Sequence, residues 1–545
     1  MTAHITIPAD QAGGASRRPR LRLFPWITAL AIIGLVSALP ALGFLGLMQG
    51  GTGADWLRFS DAQMAATRET AMLLAGVIVL AGSMGLVSAW LVSIYDFPLR
   101  RWLETALVLP LAFPTYLAAF VAVDLLDFYG PVQSLWRWLI GAKTLRDYSF
   151  FETRSLAGAI VVMALVLFPY VYISCRLVFS HGGRNVIDAA RLLGARGWRL
   201  FLAIGVPLAW PALAAGLALV VLEVINDIGA TQHMGVSSFS VAISDLWLNR
   251  GDLPGATRLS GMLILIVAAA LFLARPKTRG HHAPPRAIGQ PRRIRLGGIG
   301  AAFALLATLM PVLVGFVIPT AFLIWRAGQY AAAQKFDPEF LAAAGSSLVF
   351  ALTVAGVVML LGALLTIAIR IAPRLSPAAR VAAIGYAIPG TVLVLALFPV
   401  FRAADNLMAT LGLPFILSGT FAAMSFALVV RFVGIGAGQA GLALRRLPMS
   451  IDWVARIHGM KDWKLALHVH LPAMMPGLML GGTLVFIDTI KELPATLLLR
   501  PLNFETLATR AYAQASAGTF EHAALESLGI LVLSGTAALM LTRRT

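Results

Sequence analysis

Two short stretches of the sequence combine oxygen-bearing side chains with one lysine in otherwise apolar surroundings. In chain order, they contain Glu223, Asn226, Asp227, Asp488, Lys491 and Glu492. Carboxylate and amide oxygens suit a hard metal cation, and ionisable side chains inside apolar segments default to functional roles. The ammonium group of Lys491 would repel a bare cation, so we favour a gate or a structural ion pair for Lys491 and Glu492 over direct ligation. Their role depends on the elements that position them.

The histidines and the single cysteine predict no metal site. His281 and His282 lie in a polar segment without a carboxylate or cysteine partner. His468 and His470 are two residues apart, so on a helix they do not face each other as an i, i+4 ligand pair would. Cys175 lies within an apolar run, and one cysteine cannot form an intramolecular disulfide or a CxxC site.

Motifs for nucleotide binding or catalysis are also missing from the sequence. It contains no G-x-x-x-x-G-K-[ST] and no Gly-Lys dipeptide, so it has no P-loop to hold nucleotide phosphates. The apolar segments also lack the convergent His, Asp and Glu residues that a membrane-embedded enzyme would need. We predict that the chain is not an enzyme and binds no cofactor of its own.

The composition places these residues in a membrane. The chain is 59% hydrophobic and 12% charged with a mean hydropathy of +0.82, whereas soluble domains carry about 25% charged residues. The apolar blocks are about 20 residues or longer, as membrane-spanning helices require, unlike the weak alternations of barrel strands. We predict an all-α polytopic membrane protein with spans near 24–48, 69–93, 103–126, 156–180, 200–222, 259–274, 299–325, 346–369, 381–401, 415–437, 465–487 and 524–542.

The charge distribution sets the orientation and the domain boundaries. With the N-terminus inside, about two thirds of the Lys and Arg residues lie on the cytoplasmic side, as the positive-inside rule requires. The net charge of +18 therefore indicates topology rather than a nucleic-acid partner. We predict a basic cytoplasmic tail over 1–23, a first half over 24–274, a linker over 275–298 and a second half over 299–545. Both termini are predicted to be cytoplasmic. The linker is rich in Arg, Pro and Gly and is expected to contact anionic lipid headgroups; binding of RNA or of a specific lipid is the alternative.

The two halves contain a gap-free repeat at an offset of 265 residues. The offset pairs Ala190 with Ala455, Arg191 with Arg456, Gly194 with Gly459, Pro207 with Pro472, Glu223 with Asp488 and Thr231 with Thr496. Because each half has an even number of spans, the repeat is parallel, about an axis along the membrane normal. We predict a central pathway between the halves, with the oxygen-bearing and basic residues described first as its candidate lining or gate.

Pro110, Pro114 and Pro389 lie within predicted spans. A proline inside a helix removes a backbone hydrogen bond and bends the helix. We therefore expect kinks at Pro110, Pro114 and Pro389, which would either shape the pathway or serve packing.

The repeat contains a polar element that is unusual in so apolar a chain. The stretches DAARLLGARGWRLFLAIGVPLAWPA (188–212) and WVARIHGMKDWKLALHVHLPAMMPG (453–477) each begin as a short arginine-bearing helix, pass a glycine and end in an apolar segment with two prolines. The positive-inside rule accounts for the basic residues taken one by one, but not for two matched copies in equivalent cytoplasmic loops. A short helix joined to two spans can transmit a push from a soluble motor.

These residues resemble the EAA motif of ABC importer permeases, in which a Glu-Ala-Ala is followed by a glycine and a proline-bearing helix start. Asp188, Ala189, Ala190 and Gly194 match the motif in the first half. In the second half Trp453 and Val454 stand where Glu and Ala are expected, with Asp452 one position early. The resemblance implies two tandem six-helix type I permease domains and cytoplasmic coupling helices. The residues it assigns to coupling are Asp188, Ala189, Ala190, Arg191, Gly194, Asp452, Ala455, Arg456 and Gly459.

Other segments resemble the fused two-domain ferric-iron permeases of the ABC class, over nearly the whole chain except the tail and linker. They are LPLAFPTYLAAFVAVDLLDFYGP, GLALVVLEVINDIGATQHMGV and LVFIDTIKELPATLLLRPLNFETLATRAY. The resemblance implies ferric-iron import across the bacterial inner membrane, with two copies of a cytoplasmic ATPase and an extracytoplasmic substrate-binding protein as partners. Fused permeases for thiamine, and unfused ones for sulfate, molybdate, spermidine or putrescine, share the architecture, so other cargoes stay open.

A secondary transporter is the main alternative from another class. Such a protein would couple ions to substrate through ionisable groups near the bilayer midplane. In this sequence the middle parts of the predicted spans are almost uncharged, which favours the importer.

Overall fold

The fold is described from a computed structural model that covers residues 24–48, 60–144, 146–182, 184–273, 293–333, 338–371 and 385–542. It confirms the predicted all-α class of polytopic membrane protein. The tail over 1–23 and the pair His281 and His282 lie outside the described residues.

The first half contains twelve helices in the described residues. They are α1 (Phe24–Met48), α2 (Asp61–Ile94), α3 (Arg100–Ala106), α4 (Thr115–Leu126), α5 (Pro131–Ile140), α6 (Leu156–Leu177), α7 (Arg184–Leu192), α8 (Gly197–Leu200), α9 (Val206–Asn226), α10 (Gly229–His233), α11 (Phe239–Ser244) and α12 (Leu253–Leu273). Short π-helical turns over Val178–Gly182 and Phe201–Gly205 join α6 and α8 to their neighbours.

The second half repeats this order. Its described helices are α13 (Gly298–Val312), α14 (Ile318–Ala333), α15 (Pro338–Ile371), α16 (Gly390–Thr410), α17 (Phe421–Leu444), α18 (Met449–Ile457), α19 (Asp462–Leu465), α20 (Leu471–Lys491), α21 (Pro494–Leu499), α22 (Leu507–Ser516) and α23 (Phe520–Thr542). A π-helical turn over Ala466–His470 connects α19 to α20. The short strands β1 (Tyr95–Asp96) and β2 (Ile294–Arg295) pair in parallel and join the end of the linker to the loop after α2.

Each of the twelve predicted spans overlaps a helix. In the described residues, ten helical segments are long and apolar enough to cross a membrane, and the apolar helix Ile33–Met48 is shorter. The ten are Asp61–Ile94, Thr115–Ile140, Leu156–Ser180, Gly197–Asn226, Leu253–Leu273, Gly298–Ala332, Pro338–Ile371, Gly390–Thr410, Phe421–Leu444 and Asp462–Lys491.

Two predicted spans and the kinks within them are wrong. The span predicted over 103–126 is broken, because Pro110 lies in a 3-10 turn and Pro114 is the N-cap of α4. The span predicted from 381 starts later, because Pro389 is the N-cap of α16. Proline has no backbone N–H to donate, so it is tolerated where a helix begins and these residues start helices instead of bending them.

The first span of each half packs against the other half. Helix α1 lies along α15 and α16. Helix α13 lies along α2, α14 lies along α4, and the π-helical turn Leu313–Val317 between them contacts α6. Glycine permits the close approach: a Cβ added at Gly43 would lie 1.9 Å from the carbonyl oxygen of Ala396. At the opposite contact, a Cβ on Gly315 would lie 2.8 Å from the carbonyl oxygen of Leu165. The halves are therefore interlocked around their shared centre.

Within each half, three long helices form the core. They are α2, α6 and α9 in the first half and α15, α17 and α20 in the second. The matching helices have equal lengths where the repeat is strongest: α2 and α15 have 34 residues each, and α9 and α20 have 21. The backbone N–H of Phe239 donates to Thr70 in one half and that of Leu507 donates to Ser347 in the other. The repeat predicted from sequence thus extends to the packing.

Candidate functional site

A cavity of about 90 Å³ lies between the halves and is lined by all six predicted pathway residues. They come from the last turns of α9 and α20 and the residues that follow, about 30 Å along each helix from the end next to the polar element. The other lining side chains that bear oxygen or charge are Thr115, Tyr116, Tyr170, Tyr386 and Arg431. The sequence repeat therefore brings its polar residues to one place.

Asp227 and Glu492 occupy matched positions and cap the helices that follow them. The Asp227 carboxylate accepts hydrogen bonds from the backbone N–H groups of Ala230 (2.7 Å) and Thr231 (3.3 Å) at the start of α10. The Glu492 carboxylate accepts from the N–H groups of Ala495 (2.9 Å) and Thr496 (2.8 Å) at the start of α21. A carboxylate satisfies the unpaired donors of a helix start and complements its dipole. These two carboxylates are thus held in place by the backbone.

The third partner of each capping carboxylate differs between the halves. Asp227 accepts a hydrogen bond from the hydroxyl of Thr115. Glu492 instead lies beside Arg431, with Nη1 to Oε1 at 3.3 Å, and both side chains are buried. At the offset of the repeat Arg431 corresponds to Val166, so only the second half carries this buried charge pair.

The remaining pathway residues make single polar contacts. The Asn226 amide oxygen accepts from the backbone N–H of Gly390 at 2.7 Å, which ties the first half to the second. The Tyr170 hydroxyl donates to the Glu223 carboxylate at 3.0 Å. Lys491 Nζ lies 3.5 Å from Asp488 Oδ1. The lysine therefore pairs with Asp488 one turn before it, whereas its neighbour Glu492 pairs with Arg431.

Arg431 and the tyrosines of the cavity are not among the residues predicted from the sequence. A lone arginine in the apolar run FALVVRFVG was a usable signal, because an intramembrane charge is costly without a function or partner. The tyrosines carried no such signal, since aromatic residues are common throughout apolar spans. Only the structure reveals the position of Tyr116. This residue lines the cavity, is 3% exposed and has a hydroxyl group without a hydrogen-bond partner.

No group of three or more His, Cys, Asp or Glu side chains in the described ranges is placed to hold a metal ion. His470 is fully buried, whereas His468 is exposed and its Nδ1 lies 3.0 Å from the carbonyl oxygen of Lys464. In this part of the chain the cavity is a charged space beside two capped helices, without a cage of metal ligands.

The polar element forms the same structure twice. Helix α7, the first loop helix, and helix α18, the second loop helix, are nine residues each and obey the offset of 265 at both ends. Gly194 and Gly459 follow with φ values of +92° and +78°. After each glycine the next N–H bonds back across the helix end, to the carbonyl of Ala190 or Ala455 at 3.0 Å. Glycine is needed here because the left-handed conformation strains other residues.

The first loop helix packs on apolar side chains. It contacts the π-helical turns that contain Phe179 and Phe201, and both rings pack against Trp90 with centroids 5.2 and 5.4 Å away. Ile187 is its fully buried residue in this apolar core. Asp188 is half exposed, and its Oδ1 lies 3.3 Å from Nη1 of Arg191 in the same helix.

The second loop helix is held by charges. Asp452, the counterpart of Ile187 in the repeat, is 3% exposed and accepts two hydrogen bonds from Arg370, at 2.9 and 3.0 Å. His470 Nε2 lies 3.2 Å from the same carboxylate. Burial alone would raise the pKa of Asp452, but the neighbouring Arg370 and His470 outweigh it and the pKa is lowered. The carboxylate therefore stays ionised and faces its own chain.

The other residues predicted for coupling lie on or near the free faces of the loop helices. Ala189 is exposed, and Ala190 and Ala455 are half-buried. Arg456 bonds to Asp462 at 3.3 Å. Large apolar side chains continue the same faces, namely Leu192 (91% exposed), Leu193 (90%), Trp453 (64%) and Ile457 (82%).

Comparison with known proteins connects this geometry to a transport family. Residues 81–275 match the family described as "Binding-protein-dependent transport system inner membrane component". This range contains the first loop helix and the first set of cavity residues. The match confirms the resemblance to ABC importer permeases.

Individual relatives show how much of the chain is similar to known transport proteins. The chain is 24% identical to a Fe(3+)-transport system permease protein of Haemophilus influenzae over 95% of this chain and 98% of the relative. It is 29% identical to a sulfate transport system permease protein of Escherichia coli over 45% of this chain and 87% of the relative. A molybdenum transport system permease protein of Escherichia coli is 29% identical over 27% of this chain and 61% of the relative. Among these three, the ferric relative spans both halves.

Proposed function

We propose that this chain is the membrane permease subunit of an ABC importer and that its cavity is part of an import pathway for ferric iron. The observation that supports this proposal is the charge of the cavity lining. Four carboxylates face two cationic side chains there, Arg431 and Lys491. Oxyanions such as sulfate and molybdate are repelled by an acidic excess, whereas a hard cation is attracted to it and accepts oxygen ligands.

The extent of similarity to one relative supports this cargo. The relative named for Fe(3+) is similar from end to end, and those named for sulfate and molybdenum are similar over less than half of this chain. Sulfate is the second candidate, because its named relative has the higher identity over the part that matches.

We assign a gate role to the contacts that join the halves around the cavity. Asn226 holds the backbone of Gly390, and the Tyr512 hydroxyl donates to Gln232 at 2.7 Å. These bonds must break for the halves to separate and for the cargo to enter from the outer side. The Asp488 and Lys491 pair is partly exposed, so an arriving cation competes directly with the ammonium group for this carboxylate.

The loop helices serve as the docking sites for ATPase subunits. Their exposed apolar side chains lie on faces that no other described part of the chain covers, and the polar residues beside them form the rim. An ATP-binding subunit with an apolar cleft is the expected partner in this family. Two such helices in one polypeptide correspond to two ATPase copies, which supply the P-loop motif that is missing from this sequence.

The orientation follows from the same assignment. The loop helices and both termini face the cytoplasm, and the cavity opens towards an extracytoplasmic binding protein that delivers the cargo. For a Gram-negative cell, the membrane is the inner one.

Transport by purified components tests the cargo. The permease, its ATPase and its binding protein are reconstituted in lipid vesicles and supplied separately with radiolabelled iron(III) citrate, sulfate, molybdate and thiamine. We expect ATP-dependent accumulation of iron that excess sulfate does not reduce. Accumulation of sulfate, molybdate or thiamine without iron would contradict the proposed cargo while leaving the importer assignment intact.

A further inference from the structure

We propose that Arg370 is a positioning residue for energy coupling: it clamps the second loop helix to the membrane helices of the second half. The inference rests on the proposed docking function of the loop helices. Arg370 lies outside the EAA-like motif, in the last turn of α15.

The clamp is a planar guanidinium with four polar contacts. Arg370 Nε and Nη2 donate to the two oxygens of Asp452, while Nη1 donates to the carbonyl of Leu444 at 3.1 Å and Nη2 to that of Pro448 at 3.2 Å. The Arg370 side chain is 8% exposed and that of Asp452 is 4% exposed. Such a forked pair fixes orientation as well as distance, which a lysine cannot do.

The contacts join three elements. Arg370 lies in the last turn of α15, Leu444 ends α17, Pro448 is the N-cap of the second loop helix and Asp452 lies within it. Helices α15 and α17 pack tightly with α20. The loop helix is therefore fixed to the bundle whose other side carries Arg431 and Lys491 in the cavity.

The first half has no such arginine in the corresponding place. Aligning the equal-length helices α2 and α15 places Ser93 opposite Arg370, and Ile187 stands opposite Asp452. His470 at the end of its π-helical turn corresponds to Gly205, where a Cβ would lie 2.7 Å from the Trp90 ring. One half thus uses an apolar and aromatic anchor and the other an ionic one.

The experiment measures how firmly each loop helix is held. A spin label is placed at Ile457→Cys or, as the matched control at the same repeat position, at Leu192→Cys. Both positions are exposed, and the native Cys175 is buried and does not compete for labelling. Label mobility is recorded in the permease before and after its ATPase subunits are added, with and without Arg370→Met.

We expect Arg370→Met to increase mobility at position 457 and to leave position 192 unchanged. Iron transported per ATP hydrolysed should fall about 5-fold or more, within the usual range of coupling between sites. Arg370→Lys, which keeps the charge without the fork, should fall between wild type and Arg370→Met in both measurements. Arg250→Met, which removes an exposed pair with Asp245, is the control for loss of a surface arginine.

Removal of one buried charge endangers folding, so a second variant is included. Arg370→Leu with Asp452→Leu removes both charges, which is tolerated far better than leaving one unpaired. This double variant should still increase the mobility of the label at position 457. Unchanged mobility at position 457 in both variants would overturn the clamp, and so would increased mobility with unchanged transport per ATP. Failure of the wild-type complex to transport with ATP would instead refute the proposed function.

Discussion

The two loop helices have the same shape and different anchors. Both are nine residues long, both end at a glycine with positive φ, and both are followed by a π-helical turn at the same repeat position. Beneath the first lie Ile187 and aromatic rings; beneath the second lie Arg370, Asp452 and His470. The repeat therefore preserves the outer geometry of this element and not the chemistry that supports it.

The sequence motif also differs between the first and the second loop helix. Where the first copy reads Asp-Ala-Ala, the second has an inward-facing acid followed by Trp453 and Val454 on the exposed face. Asp452 was predicted to couple to the ATPase like Asp188, but it is buried against its own chain. We infer that it acts on coupling by holding the helix and that the exposed Trp453 and Val454 take the place of the missing motif residues.

The shared feature should produce the largest effect when broken. Replacing both Gly194 and Gly459 with valine forces a β-branched residue into the left-handed conformation and redirects each chain after the loop helix. We expect uptake to be abolished while ATP hydrolysis by the bound subunits persists. Gly141→Val, at a glycine with φ of +72° in an unrelated loop, is the control. Coupled uptake in the double variant would show that the shape of this turn is not required.

Replacement of the first acid of each loop helix sharpens the comparison of anchors. Asp452→Leu leaves Arg370 buried without its partner, which costs about 3–5 kcal/mol. Asp188→Leu removes an exposed pair within one helix, which is worth about 1 kcal/mol or less. Thermal unfolding in detergent should therefore separate the two variants clearly. Equal losses of stability would mean that the buried ionic anchor contributes no more to the stability of the protein than the exposed pair does.

Replacing the two capping carboxylates of the cavity should also cause unequal losses of stability, with a smaller difference between the two variants. Asp227→Asn weakens a helix cap, at about 1 kcal/mol. Glu492→Gln weakens the matching cap and also leaves Arg431 without a charged partner, so its loss of stability should be larger, about 2–3 kcal/mol. The unfolding temperatures of the two variants check the order. A reversed order would show that Arg431 is stabilised by other groups.

The smallest expected difference is a response of the first half to acid. His233 in α10 corresponds to Leu498 in α21, and burial together with the nearby Arg154 lowers the pKa of His233 to about 4. A lowered pKa means that its contribution to stability is present above pH 6.5 and is lost as the pH falls towards 4. Backbone hydrogen exchange at pH 5 should increase in α10 and not in α21. His233→Leu should remove this increase; its persistence would assign the acid response to another group.

Much of this arrangement was predictable from the sequence. Apolar block length identified the helices, and the gap-free offset located both turn glycines, because repeated sequence folds into repeated structure. The six cavity residues were identified by their polar side chains in apolar stretches. The breaks at Pro114 and Pro389 were missed because a proline in an apolar run reads equally as a kink or as a helix start. The bond between Arg370 and Asp452 was out of reach, since its partners are 82 residues apart and their meeting depends on how α15 packs on α17.

Crosslinking of the two loop helices to the motor is the most direct test of the central claim. Leu192→Cys and Ile457→Cys are introduced separately and together, and the assembled complex is treated with a short bifunctional reagent. We expect each position alone to crosslink to an ATPase subunit and the double variant to link one chain to two ATPase copies. Labelling of either cysteine from the extracytoplasmic side, or a crosslink to ATPase at neither position, would contradict it.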